Sequence, residues 1–129
     1  MGYSKKYKLL LVDDSRSFLK ALEFKLYEYL DGQIEFLHIA RHGREAIEKM
    51  QQYQYDFVFM DIDMPILDGI ETTRYLNKYF SRTRVVALSG HSDFRYVEKM
   101  IYAGAYTYIL KSELDNAALE AVFNIPPIL

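Results

Sequence analysis

The chain has 129 residues, enough for one domain with a substantial core and too few for two. Half of its residues are hydrophobic and 26% are charged, which excludes a disordered chain, and a net charge of −2 gives no sign of a nucleic-acid or membrane surface. Cysteine is absent, so disulfide frameworks, thiolate metal centres and thiol nucleophiles are excluded together.

Lys8-Leu9-Leu10-Leu11-Val12 is the first apolar run, read as a strand covered on both faces, and it ends in Asp13-Asp14. Ser15 caps a helix in which Phe18, Leu22 and Leu26 recur at helical spacing, with Asp31-Gly32 as its stop. Ile34 to Ala40, interrupted by Glu35 and His38, reads as an edge strand, and Gly43 to Gln52 as a helix burying Ala46, Ile47 and Met50. Phe57-Val58-Phe59-Met60 is the next apolar run, ending in Asp61 and followed by Asp63 and a turn at Pro65. Asp68 caps a helix from about Gly69 to Tyr79, with Ile70, Thr73 and Leu76 on one side. Val85 to Leu88 is the fourth run and ends in Ser89-Gly90; Ser92 or Asp93 then caps a helix through Met100 and Ala103, stopped at Gly104. Ala105 to Leu110 is a fifth strand ending in Lys111, and Leu114 to Phe123 a last helix, halted by Asn124 and Pro126-Pro127.

Five strands alternating with five helices predict an α/β fold: a doubly wound parallel sheet with helices on both faces and right-handed crossovers. One domain is expected over residues 1–129, its core spanning about 7–123, with 124–129 a tail or the start of a linker to an output domain. No apolar stretch is long enough to span a bilayer, and Met1 to Lys8 lacks the apolar segment of a signal peptide, so a cytoplasmic location is the default expectation.

The ends of four strands carry the chemistry. One sheet edge would gather Asp13, Asp14, Asp61, Ser89 and Lys111, and ligands of open α/β sheets bind at that edge. Two unit negative charges about 5 Å apart repel by roughly 3 kcal/mol at an effective dielectric near 20, and Lys111 alone cannot balance three carboxylates. A hard divalent cation can. Mg²⁺ prefers carboxylate, water and phosphate oxygens, so the residue types predict a magnesium site awaiting a phosphate. In such a site Asp61 is the candidate nucleophile for phosphoryl transfer, with the Lys111 ammonium and the Ser89 hydroxyl taking phosphate oxygens and Gly90 leaving the approach open.

At these residues the chain resembles the receiver domain of two-component response regulators, from Lys8 to about Phe123. Family members carry an acidic pair after the first strand, a phosphoacceptor after the third, Ser or Thr after the fourth and Lys after the fifth, here Asp13-Asp14, Asp61, Ser89 and Lys111; Met64-Pro65 and Asp68-Gly69 fit the family's turn. The resemblance implies a flavodoxin-like strand order 2-1-3-4-5. It also implies a phosphorelay switch in which a histidine kinase or phosphotransfer protein offers phosphohistidine and Asp61 accepts the phosphoryl group with Mg²⁺. Metal ligation in the family assigns Asp14 and Asp61 as direct ligands, Asp13 through water, and the backbone carbonyl of Asp63. Tyr108 would turn inward when Ser89 bonds the phosphate, reshaping the face formed by the fourth helix, fifth strand and fifth helix for an output domain or target protein. Dimerisation through that face stays open, and DNA would be met only through an output domain outside this chain. No enzymatic turnover is implied beyond self-phosphorylation from a phosphodonor and autodephosphorylation.

Three positions depart from the common family pattern. Ser112 stands where many members have proline after the lysine, so the Lys111-Ser112 bond is expected to be trans. Gly90 replaces a commoner alanine, and Asp63 and His91 occupy positions that tune dephosphorylation in the family. The same residues admit two other readings. A binding module of receiver fold that works without phosphorylation would not require the full acidic cluster. A haloacid-dehalogenase-type phosphatase would share the Asp61-Ile62-Asp63 start but lacks that family's following residues and its later acidic pair.

Overall fold

Runs such as Leu9 to Val12 and Phe57 to Met60 have no polar face to give to water, so they are stable only in a sheet covered on both sides. The computed structural model describes residues 5–64, 68–90 and 94–124. The expectations placed on Pro65, His91, Ser92, Asp93 and the tail from Ile125 lie outside the described residues.

The elements follow in the order β1 (Tyr7–Val12), α1 (Arg16–Tyr29), β2 (Ile34–Ala40), α2 (Gly43–Gln52), β3 (Phe57–Asp61), α3 (Gly69–Tyr79), β4 (Arg84–Ser89), α4 (Phe94–Ala103), β5 (Thr107–Leu110) and α5 (Asn116–Phe123). The five strands form one parallel sheet in the order β2-β1-β3-β4-β5, so the predicted flavodoxin-like topology holds and β2 lies at an edge as its polar residues required. Side chains alternate along each strand and build two cores. Leu10, Val12, Val58, Met60, Val85 and Ala87 pack with Ala46, Met50, Leu76 and Met100 under α2, α3 and α4. Leu9, Leu11, Phe57, Phe59, Val86 and Leu88 pack with Leu19, Leu22, Leu26, Leu119 and Val122 under α1 and α5.

Local capping chemistry sets the helix starts. Backbone N–H groups of Phe18, Glu45, Glu71 and Ala118 donate to the side chains of Ser15, His42, Asp68 and Asp115, satisfying first-turn donors that the helix itself leaves unpaired. Asp115→Ala is therefore expected to lower stability by about 1 kcal/mol, read as a lower urea midpoint with an unchanged slope.

Two boundaries differ from expectation, each for a local reason, and so does the make-up of one buried stripe. β5 begins at Thr107 rather than Ala105, because Gly104 takes φ +118° and the Ala105 N–H returns to the Met100 carbonyl, closing α4 before extended pairing starts. α5 begins at Asn116 rather than Leu114: Lys111–Glu113 form one 3₁₀ turn, and Asp115 then caps the helix. On α1 the fully buried stripe is Leu19, Leu22 and Leu26, while Phe18 is only half-buried. The Lys111-Ser112 bond is trans. Among the described residues no helix is long and apolar enough to cross a membrane.

Candidate functional site

Parallel strands deliver all their carboxyl ends to one edge, and the register decides which ends meet. Val12 pairs with Met60, Asp61 with Leu88, and Ser89 with Leu110, so Asp13, Asp61, Ser89 and Lys111 emerge side by side. Carboxylate oxygens of Asp13, Asp14 and Asp61 lie within 4.8 Å of one another. Asp13 and Asp61 are 0% and 4% exposed, Ser89 1%, and Asp14 opens to solvent. A charged cluster withdrawn this far from water survives only if its charges are offset.

Lys111 supplies part of the offset. Its Nζ is 2.7 Å from Asp13 Oδ2 and 3.2 Å from Asp61 Oδ1. Burial works to lower the Lys111 pKa, but its bond and charge pairing with Asp13 and with Asp61 outweigh it, and the pKa is raised. Asp61 responds the other way. Burial, followed by the Asp13 charge, pushes its carboxyl up to about 7, against the opposing pull of Lys111 and of the Asp63 backbone N–H that donates to it. Asp13 Oδ1 accepts from the Ser15 N–H at 2.9 Å, which ties the first acidic residue to the start of α1.

The main chain around Asp61 is equally constrained. Ile62 N–H donates to the Leu88 carbonyl and Gly69 N–H to the Ile62 carbonyl, both at 3.1 Å, so α3 starts directly against the acidic strand end. A Cβ on Gly69 would stand 1.9 Å from the Asp61 carbonyl oxygen. Gly90 is different: a Cβ there meets nothing within 4 Å among the described residues. Tyr108 sits on the outer surface, its ring edge-to-face with Phe94 at 6.2 Å. Asp63 has an exposed side chain and reaches the site through its backbone N–H.

One contact at the site lies outside the sequence pattern. The Lys111 ammonium lies 4.7 Å from the centroid of the Phe18 ring. Helical spacing assigned Phe18 to the buried stripe of α1; the signal that could have separated it is its place one turn beyond Asp13-Asp14, where the helix still borders the strand ends.

Three carboxylates against one ammonium leave a formal excess of two negative charges at the carboxyl edge of a small parallel α/β sheet, a donor set of the kind that holds a hard divalent cation. Residues 9–123 match the response regulator receiver domain, and the chain belongs to that family. It is 33% identical to the chemotaxis protein CheY of Halobacterium salinarum over 91% of this chain and 94% of that protein. It is 32% identical to the transcriptional regulatory protein DegU of Brevibacillus brevis over 91% of this chain, but spans only 49% of that relative's length. Its fold superposes on the signal receiver domain of the response regulator NarL from Mycobacterium tuberculosis with a TM-score of 0.79 and 25% identity, covering 94% of this chain and 99% of the other.

Proposed function

We propose that this receiver domain is a phosphoacceptor switch in which Asp61 takes a phosphoryl group from a phosphohistidine carried by a histidine kinase or phosphotransfer protein. The observation that carries the reading is the Asp61 carboxyl itself, buried, pushed up to about 7 and grouped with Asp13, Asp14 and Lys111. An Asp61 oxygen attacks phosphorus, the phosphorus–nitrogen bond breaks, and the imidazole leaves with a proton, which gives an aspartyl phosphate. The donor set fits Mg²⁺: Asp14 and Asp61 would be direct carboxylate ligands, Asp13 would act through water, and the Asp63 carbonyl would complete the protein's share. When bound, the ion neutralises carboxylate and phosphate charge that would otherwise repel. Lys111 keeps its bond to Asp13 and turns its remaining protons to a phosphate oxygen, and the Ser89 hydroxyl donates to another.

The readout follows from that last bond. Drawing Ser89 toward the phosphate opens the space into which Tyr108 turns from its present surface position beside Phe94. Two new charge-assisted bonds at about 1.5–3 kcal/mol each are comparable to the roughly 5.5 kcal/mol that moves a two-state equilibrium from 1:99 to 99:1. The face of α4, β5 and α5 then meets an output domain or target protein in the cytoplasm, and His91 and Asp63 tune how long the phosphate lasts. The chemistry is confined to self-phosphorylation and autodephosphorylation, within a single domain whose core is about 7–123.

Intact mass after incubation with acetyl phosphate tests the reading. One phosphoryl adduct, labile to hydroxylamine, is expected with Mg²⁺ and none with chelator. No adduct in either condition would leave a receiver-fold binding module that works without phosphorylation.

A further inference from the structure

Phe18 lies in the first turn of α1, where its N–H donates to Ser15 Oγ. Its ring is half-buried, outside the fully buried stripe of Leu19, Leu22 and Leu26, and stands 4.7 Å from Lys111 Nζ. Three attractors therefore act on one ammonium: Asp13 at 2.7 Å, Asp61 at 3.2 Å and the Phe18 π face. A π face draws a cation without forming a bond that must be broken for the cation to turn, so it holds the charge while leaving its protons free. Asp13 and Phe18 belong to the same segment, the end of β1 and the start of α1, and Asp61 to β3. An ammonium drawn fully onto Asp61 would occupy the oxygen that has to attack phosphorus.

We infer that Phe18 is a positioning residue whose ring shares the Lys111 ammonium with the Asp13 and Asp61 carboxylates, so that the ammonium is held less tightly on Asp61 Oδ1 and is ready to bond an incoming phosphoryl group. The inference rests on the phosphoacceptor reading above. It assigns the work to the quadrupole of the ring rather than to its bulk, and that distinction is measurable.

Labelling rates with acetyl phosphate and Mg²⁺ are compared for the native chain, Phe18→Leu, Phe18→Tyr, and a chain with pentafluorophenylalanine at position 18. Losing the π attraction is expected to slow labelling about five-fold in Phe18→Leu and in the pentafluoro chain, with Phe18→Tyr close to native. Thermal midpoints of the three aromatic chains should agree, which separates positioning from packing. A pentafluoro chain that labels at the native rate overturns the inference, since its ring fills the same space with the opposite quadrupole. The Lys111 side-chain proton resonances give a readout that needs no phosphoryl group: the ring current should move them upfield in the native chain and not in Phe18→Leu. If the native chain takes no label, the phosphoacceptor reading falls by itself. Lys111 resonances that do not differ between native and Phe18→Leu chains overturn the positioning contact whatever the labelling shows.

Discussion

Asp61→Asn is expected to abolish the phosphoryl adduct completely and, in chelator at pH 8, to make the fold more stable. Both outcomes come from one property of the native side chain. The folded-state pKa of Asp61 is about 7, above the ordinary 3.8, so between these values the native state holds a proton that the unfolded chain has released. Stability conferred by that proton is fully present below about pH 4 and is lost as the pH rises through about 7. Asparagine has no proton to lose, and Lys111 keeps Asp13 as its partner in the variant. Urea midpoints of the two chains should therefore agree near pH 4 and diverge up to pH 7 to 8, with the variant higher. Mg²⁺ should raise the native midpoint at pH 8, because it binds the folded carboxylate cluster, and raise that of Asp61→Asn much less. Native and variant midpoints that run parallel across the pH range would show that Asp61 ionises normally and would remove the electrostatic basis of the site.

Gly69→Ala is the second change with a large expected effect, through geometry rather than charge. Its Cβ would lie 1.9 Å from the Asp61 carbonyl oxygen and 2.9 Å from both the Asp61 carbonyl carbon and the Ile62 Cα, all backbone atoms with no side-chain freedom to yield. Either α3 moves away from β3 or the end of β3 moves, and the latter carries the candidate nucleophile. Overpacking of this kind costs about 1–3 kcal/mol or more, and a shift of about 1 Å at a reacting group can cost on the order of a hundred-fold in rate. Gly90→Ala, just past the end of β4, is the control, where the added methyl meets nothing within 4 Å among the described residues. The expected result is a lower urea midpoint and strongly slowed labelling for Gly69→Ala, and near-native values for Gly90→Ala. Equal effects at both positions would mean that loss of glycine as such, not the contact with Asp61, is responsible.

Much of the site was legible before any coordinates because charged residues at the ends of apolar runs carry two signals at once. Asp61 follows four apolar residues, and a strand buried on both faces cannot place a carboxylate anywhere but at its end. The acidic pair, Ser89 and Lys111 stand in the same relation to their strands, so the assumption of a parallel sheet was enough to bring them together. Boundaries were less legible where two local signals competed. Ala105 and Tyr106 have strand-like neighbours, but the closure of α4 at Gly104 claims the Ala105 N–H first. Leu114 has helical spacing to Ala118, yet the cap at Asp115 fixes where α5 starts.

Composition, hydrophobic pattern and the identity of the strand-end residues by themselves determined the fold class, the edge position of β2, the helix caps at Ser15 and Asp68 and the membership of the acidic site, since each depends on local chemistry repeated along the chain. Only the tertiary structure decided the quantities that depend on distance. Burial of Asp61 beside Asp13, which raises its pKa, follows from the register of β1 against β3. The approach of Gly69 to the Asp61 carbonyl follows from how α3 leaves its turn, and the Phe18 ring over Lys111 from the packing of α1 across the sheet edge. Electrostatic and contact energies change steeply over an ångström or two, and no pattern of residue types along a chain carries information on that scale.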